Sequence, residues 1–402
     1  MTNDNAKRLL PLAAAVVSAG FIPLSILPFT VVGLTDGLHM DVGAAGLLGT
    51  AELGGAVLGS LGVTPLIRGR KRSRIATMAI LLAIAFELAS CLSQTVVVLL
   101  FLRMLVGVNC GMALGAGNAM SATVEDPSRF YMRVLAWESA LTTITWAVMP
   151  TCLRLGNHIG VFVGSAAALA VLLGIATVAS AAEQPPKTGS TASRAAGTAS
   201  IDPLTATLAL VAVFLCCLRD GLAWTFADKI GTDLGFATGQ QTILFAAIGF
   251  LGLIGLYGSA RLGSSNYPII SVVSSVTLAS LLTTGLLYVG RPLTYVALAL
   301  PWTAVQFVAI SYLTGLAAKI DITGRVAAAS GAAFQLGYAV APLLAGVLQV
   351  RLGYGAIGKL SIGLSILTII ASSLLAGRQL SMQSRIRGAH GTSVIVDTLD
   401  AD

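Results

Sequence analysis

Six ionisable side chains sit inside long apolar stretches of this sequence: Glu52, Glu87, Arg103, Glu138, Arg219 and Asp220. A charge held at bilayer depth costs about 2.5–3.5 kcal/mol even on the mildest scale, so such groups face a cavity or a partner and are functional candidates by default. Four carboxylates stand against two guanidiniums. A buried carboxylate without a cation can carry a proton near neutral pH, whereas a nearby guanidinium keeps it ionised. A group that trades one partner for another as its surroundings move is a proton-coupling device in principle. Bond-making chemistry is not indicated, because no nucleophile–base pair or metal constellation accompanies the carboxylates. His39, His158 and His390 are scattered, and Cys216-Cys217 lacks a second Cys/His cluster, so neither an enzyme nor a metal or other cofactor is expected.

The elements that must position these groups are membrane spans. Of the 402 residues, 56% are hydrophobic and only 10% charged, against about 25% charged in an ordinary soluble domain. Five cysteines, mostly within apolar runs, exclude a secreted disulfide scaffold. A net charge of +7 without a dense basic stripe gives no nucleic-acid surface. Windows of roughly 20 apolar residues yield twelve helical runs: 9–34, 42–67, 75–94, 95–122, 130–155, 157–181, 204–229, 239–261, 266–289, 292–318, 323–350 and 355–377. The first is too long for the roughly 7–15-residue core of a secretory signal. With both termini inside, 17 basic residues fall on inner segments and 5 on outer loops. Basic residues in short loops stay on the cytoplasmic side, so the split supports an even number of spans with cytoplasmic termini. The expected fold is an all-α, multi-pass protein of the cell inner (plasma) membrane, with the lipid bilayer as its surroundings.

One connection is long and polar, 182–203, and its Pro, Gly, Ser and Thr content reads as a flexible cytoplasmic linker. It separates a six-helix half, 1–181, from a second, 204–377, followed by a polar tail, 378–402. Arg133-Val134…Trp146-Ala147-Val148-x-Pro150 aligns at an offset of 192 with Arg325-Val326…Tyr338-Ala339-Val340-x-Pro342. Parallel six-helix repeats of this kind are a known transporter architecture.

Depth follows from a rise of about 1.5 Å per residue. Glu52 lies about 15 Å below the outer face, near mid-membrane, and Arg103 and Glu138 differ in depth by only about 6 Å. Arg103 with Glu138 or Glu52 is therefore the expected proton-coupling set. Glu87 is left out of that set and reads as structural rather than functional. Arg219 and Asp220 come about 7 Å below the outer face, and as neighbours on a helix they point to different partners. Pro23 and Pro28 are expected to kink the first span at a cavity. The glycines of the second span, Gly43 to Gly59, read as close helix contacts rather than a nucleotide loop.

The chain resembles the major facilitator superfamily of transporters over about residues 9–377. The loop after the second span reads Gly62-Val-Thr-Pro-Leu66-Ile67-Arg68-Gly69-Arg70-Lys71 in the register of that family's Gly-x-x-x-Asp-Arg-x-Gly-Arg-Lys/Arg, with Leu66 and Ile67 replacing the Asp-Arg pair. Leu102-Arg103-Met-Leu-Val-Gly107 resembles its Arg-x-x-x-Gly pattern, whose Arg the family associates with proton coupling. The antiporter pattern Gly-x-x-x-Gly-Pro-x-x-Gly-Gly is reduced to Pro150 in the fifth span and is closer in the eleventh, Gly337 to Gly346. The resemblance implies a cavity lined by spans 1, 4, 7 and 10, which points to Asn109, Arg219, Asp220, Trp224, Trp302 and Gln306 as substrate-binding residues. It also implies that Gly62, Gly69, Arg70 and Lys71 form a gating loop.

The reading is a monomeric secondary transporter that moves a small molecule by alternating access, with proton-coupled efflux as the direction. Uptake of a nutrient or organic acid is the rival, and a non-transporting sensor or assembly factor on the same fold is a third. An anionic substrate would lean on Arg103 and Arg219, a cationic one on Glu52, Glu138 and Asp220.

Overall fold

The structure, a computed structural model, describes residues 3–63, 65–66, 72–121, 124, 127–180, 202–262, 268–320 and 325–399. The 182–201 stretch of the expected linker, and Gly69, Arg70 and Lys71 of the expected gating loop, lie outside the described residues. Every regular element among the described residues is helical: α1 Asn3–Gly37, α2 Val42–Gly62, α3 Arg72–Ser90, α4 Val96–Ser121, α5 Pro127–Ala179, α6 Pro203–Thr225, α7 Ala227–Asp233, α8 Thr238–Leu262, α9 Pro268–Leu287, α10 Pro292–Ile320, α11 Arg325–Leu352 and α12 Tyr354–Leu399. All but the short α7 are long and apolar enough to cross a membrane, which makes eleven.

The difference from the twelve expected runs lies in α5, which joins 130–155 and 157–181. Its 53 residues would span about 80 Å at 1.5 Å per residue, over twice the bilayer core. The helix is broken at Gly156 (φ −157°, ψ 20°) and Asn157 (φ 48°, ψ −131°). Past the break the chain folds back, since a Cβ on Gly160 would lie 1.9 Å from the Cys152 carbonyl oxygen, whereas residues eight apart on one straight helix are about 12 Å apart.

Local chemistry sets other ends. Asp41 caps α2, its Oδ1 accepting from the Gly43 and Ala44 amides at 2.8 and 3.1 Å. Asp202 caps α6 ahead of Pro203 at the first helical position. Gly353, at φ +73°, separates α11 from α12.

The packing has a recurring pattern. Helix α1 lies on α5, α2 on α4 and α3 on α4; correspondingly α6 lies on α11, α8 on α10 and α9 on α10. Between these groups, α2 meets α11 and α5 meets α8. The α2–α4 contact is backbone to backbone, because a Cβ on Gly107 would stand 1.8 Å from the Glu52 carbonyl oxygen. That proximity places the Glu52 and Arg103 side chains side by side.

Candidate functional site

A cavity of about 730 Å³ lies between the α1–α5 group and the α6–α12 group. It reaches from Asp220 in the last third of α6 and Trp302 within α10 to Ser121, Tyr131 and Ser330, near the helix ends at Ser121, Pro127 and Arg325. Among the described residues its lining carries two charged side chains, Glu138 from α5 and Asp220 from α6, and no Lys, Arg or His.

The two carboxylates are held differently. Glu138 accepts hydrogen bonds from the Thr142 hydroxyl at 2.7 Å and the Ser139 hydroxyl at 3.3 Å, both on its own helix. Among the described residues it makes no ion pair. Thr142 Oγ1 lies 3.4 Å from Ser25 Oγ, which donates to the Phe21 carbonyl on α1 at 2.9 Å. Asp220 accepts from Trp302 Nε1 at 2.7 Å, Tyr338 OH at 2.7 Å and Thr283 Oγ1 at 3.3 Å. Its oxygens are occupied, and in return it fixes two aromatic rings of the wall.

Three indoles form the inner end. Trp146 and Trp224 have ring centroids 4.7 Å apart, and Trp224 and Trp302 5.9 Å apart. They come from α5, α6 and α10. Aromatic faces attract cations, most strongly where water is excluded, and the two carboxylates supply the same sign of field.

The buried arginines lie off this lining. Arg103 is fully buried and donates to Glu87 Oε2 at 2.5 Å, Ser90 Oγ at 3.1 Å and Glu52 Oε1 at 3.3 Å. Its guanidinium carbon sits 4.2 Å from the centre of the Phe162 ring. Glu87 also accepts from Ser165 at 2.6 Å. With Arg103 on α4, these partners come from α2, α3 and the second arm of α5, so the cluster ties those four helices together. Glu138 is not among them: the similar depth expected of the two does not make a pair, since Arg103 faces α2 and α3 and Glu138 faces the cavity. Glu87 is fully buried and accepts the shortest of the three Arg103 bonds.

Arg219 is likewise buried, donating to Ser280 Oγ at 2.5 Å and Gln306 Oε1 at 2.7 Å. It and Asp220 point to different partners, as their adjacency requires. Of the expected substrate residues, Asp220, Trp224, Trp302 and Gln306 line the cavity, while Arg219 and Asn109 do not. Asn109 instead donates to its own helix at the Leu105 carbonyl, 2.8 Å away. Gly62 ends α2 and also lies off the lining.

Trp146 and Tyr338 are lining residues that the sequence reading did not assign to the cavity. The signal was present, because they occupy the same place in the repeat at offset 192, four residues before Pro150 and Pro342. Among the described residues no three His, Cys, Asp or Glu side chains come together as metal ligands.

Comparison with known proteins agrees with this architecture. The family model described as Major Facilitator Superfamily matches residues 12–342. Among solved structures, the chain is similar to one described as the crystal structure of nucleoside transporter NupG, at 14% identity and a TM-score of 0.66, covering 91% of this chain and 98% of that one. No curated protein sequence matches.

Proposed function

Because this chain belongs to the major facilitator superfamily and is a secondary transporter rather than an enzyme, we propose that it exports an organic cation in exchange for protons. The observation that carries this reading is the cavity lining, which holds two carboxylates and three indoles but neither buried arginine. An anionic cargo would meet no cation on the described lining, because Arg103 and Arg219 are turned into the helix bundles and engaged there.

In this reading the two arms of α5 count as separate spans, giving twelve in two six-helix halves with both termini cytoplasmic and the chain in the plasma (inner) membrane. The rim of the cavity near Ser121 and Ser330 then faces the cytoplasm. Glu138 carries the exchange. It gives its proton to the cytoplasm, the cation takes the proton's place, the halves rock, and a proton from outside displaces the cation. Among the described residues only hydroxyls hold Glu138, so neither exchange step breaks an ion pair with any of them. The Arg103 cluster lies within one half and holds its helices in register while the halves move.

The test is ligand-induced thermal stabilisation of the purified protein, using aromatic cations, neutral analogues and anions at two pH values. A ligand at about 100 times its dissociation constant adds about 2.7 kcal/mol. Cations should stabilise, and more strongly at the higher pH, where fewer protons compete. Stabilisation by anions alone would refute the reading. A nucleoside, the cargo for which the similar transporter NupG is described, is uncharged as a class, and its binding would show no such competition.

A further inference from the structure

Two helices with interior prolines, one in each half, present backbone groups that side chains of the opposite half bind. In α1, Pro28 has no N–H, so the carbonyl of Leu24 four residues earlier has no helical donor. An unpaired carbonyl in a dry interior is costly. Trp224 of α6 fills the gap, its Nε1 donating to the Leu24 oxygen at 2.8 Å. Trp146 Nε1 donates to the next carbonyl, Ser25, at 3.0 Å. In α11, the amide of Leu343, directly after Pro342, donates to Thr50 Oγ1 of α2 at 2.9 Å. Close approach makes that bond possible, since a Cβ on Gly46 would stand 2.3 Å from the Pro342 carbonyl oxygen.

The two bonds are reciprocal: the second half reaches α1 and the first half reaches α11. Both lie away from the rim at Ser121 and Ser330, toward the end where α1 packs on α7 and Gly43 lies against Gly346. We propose that Trp224 and Thr50 are gate residues whose hydrogen bonds to proline-flanked backbone hold that end of the cavity shut. Trp224 is also a wall of the cavity, so cargo resting on its ring acts directly on the catch. Trp146 shares a half with α1 and stays docked on it, giving Trp224 a surface to return to.

Backbone hydrogen exchange of the cargo-free, full-length protein in lipid nanodiscs tests this without depending on which cargo is carried. In Trp224→Phe the ring remains and the N–H is lost. Exchange of amides at 38–43 and in α7 should rise about fivefold, the factor that corresponds to about 1 kcal/mol for one hydrogen bond. Amides near Ser121 should not change. Thr50→Val, which keeps the side-chain shape, should raise exchange at the same end independently. In Pro28→Ala the Leu24 carbonyl regains a helical donor, so adding Trp224→Phe should change exchange by less than about twofold. The inference is overturned if both single variants keep wild-type exchange at 38–43 and α7. It is also overturned if exchange rises equally in every helix, or if the Trp224→Phe effect is undiminished in the Pro28→Ala background.

Discussion

Replacing Glu138 by Gln removes one charge from the cavity and leaves its shape almost unchanged. A carboxylate about 4 Å from a unit cation contributes about 1 kcal/mol in water and about 4 kcal/mol at an effective dielectric near 20. The cavity of about 730 Å³ has room for on the order of 20 waters at about 30 Å³ each, so the lower part of that range applies. We expect Glu138→Gln to weaken binding of an aromatic cation about 10- to 100-fold, equivalent to about 1.4–2.7 kcal/mol. A neutral analogue of the same shape should lose less than about threefold, because its contacts are with the indoles. The pH dependence of cation binding should disappear with the carboxylate. Isothermal titration with the matched pair at two pH values measures all three effects. Unchanged cation affinity with the pH dependence intact would refute the assignment of Glu138. Equal loss of both ligands would mean that the substitution damaged the cavity rather than removed a charge.

Other substitutions separate scaffold from machinery. Glu87→Gln should lower thermal stability more than Glu52→Gln, because Glu87 makes the shorter bond to Arg103 and also accepts from Ser165; removing one partner of a buried pair costs about 3–5 kcal/mol. Neither should alter the pH dependence of cation binding, and its loss in Glu52→Gln alone would return the proton-coupling role to the Arg103 cluster. Gly107→Ala should sharply lower the melting temperature by forcing α2 from α4, with overpacking costing about 1–3 kcal/mol. Outside the membrane, the Thr205 hydroxyl bonded to Asp202, and then the Arg378 guanidinium 3.1 Å away, hold the Asp202 carboxyl below the usual aspartate range. A lowered folded value means that stabilisation is present above the ordinary aspartate pKa and is lost as pH falls through the lowered one. Asp202→Asn keeps a capping side chain, so its deficit in melting temperature should be seen at neutral pH and vanish on acidification.

Much of this protein was legible in one dimension. The bilayer allows a spanning chain few backbone solutions, so runs of apolar residues were enough to identify helices and their approximate limits. The boundary between the runs 130–155 and 157–181 fell at the break in α5, and Pro28 marked a carbonyl in α1 left without a helical donor. The matched Trp146 and Tyr338 recorded the internal repeat, and the six buried ionisable groups announced themselves by their cost.

Direction around each helix axis was not legible. Each residue turns the side chain by about 100°, and which helix lies opposite is set by contacts between residues far apart in sequence. Arg103 and Glu138, expected at similar depth, therefore face different neighbours, while Glu87, which was left out of the expected set, meets Arg103 at 2.5 Å. Glu52 was a correct neighbour for Arg103 because Gly107 lets α2 touch α4, a close approach that glycine permits without naming its partner. The docking of Trp224 on Leu24, 200 residues away, needed Pro28 to free an acceptor and the second half to supply the donor. Only the assembled bundle brought the two together.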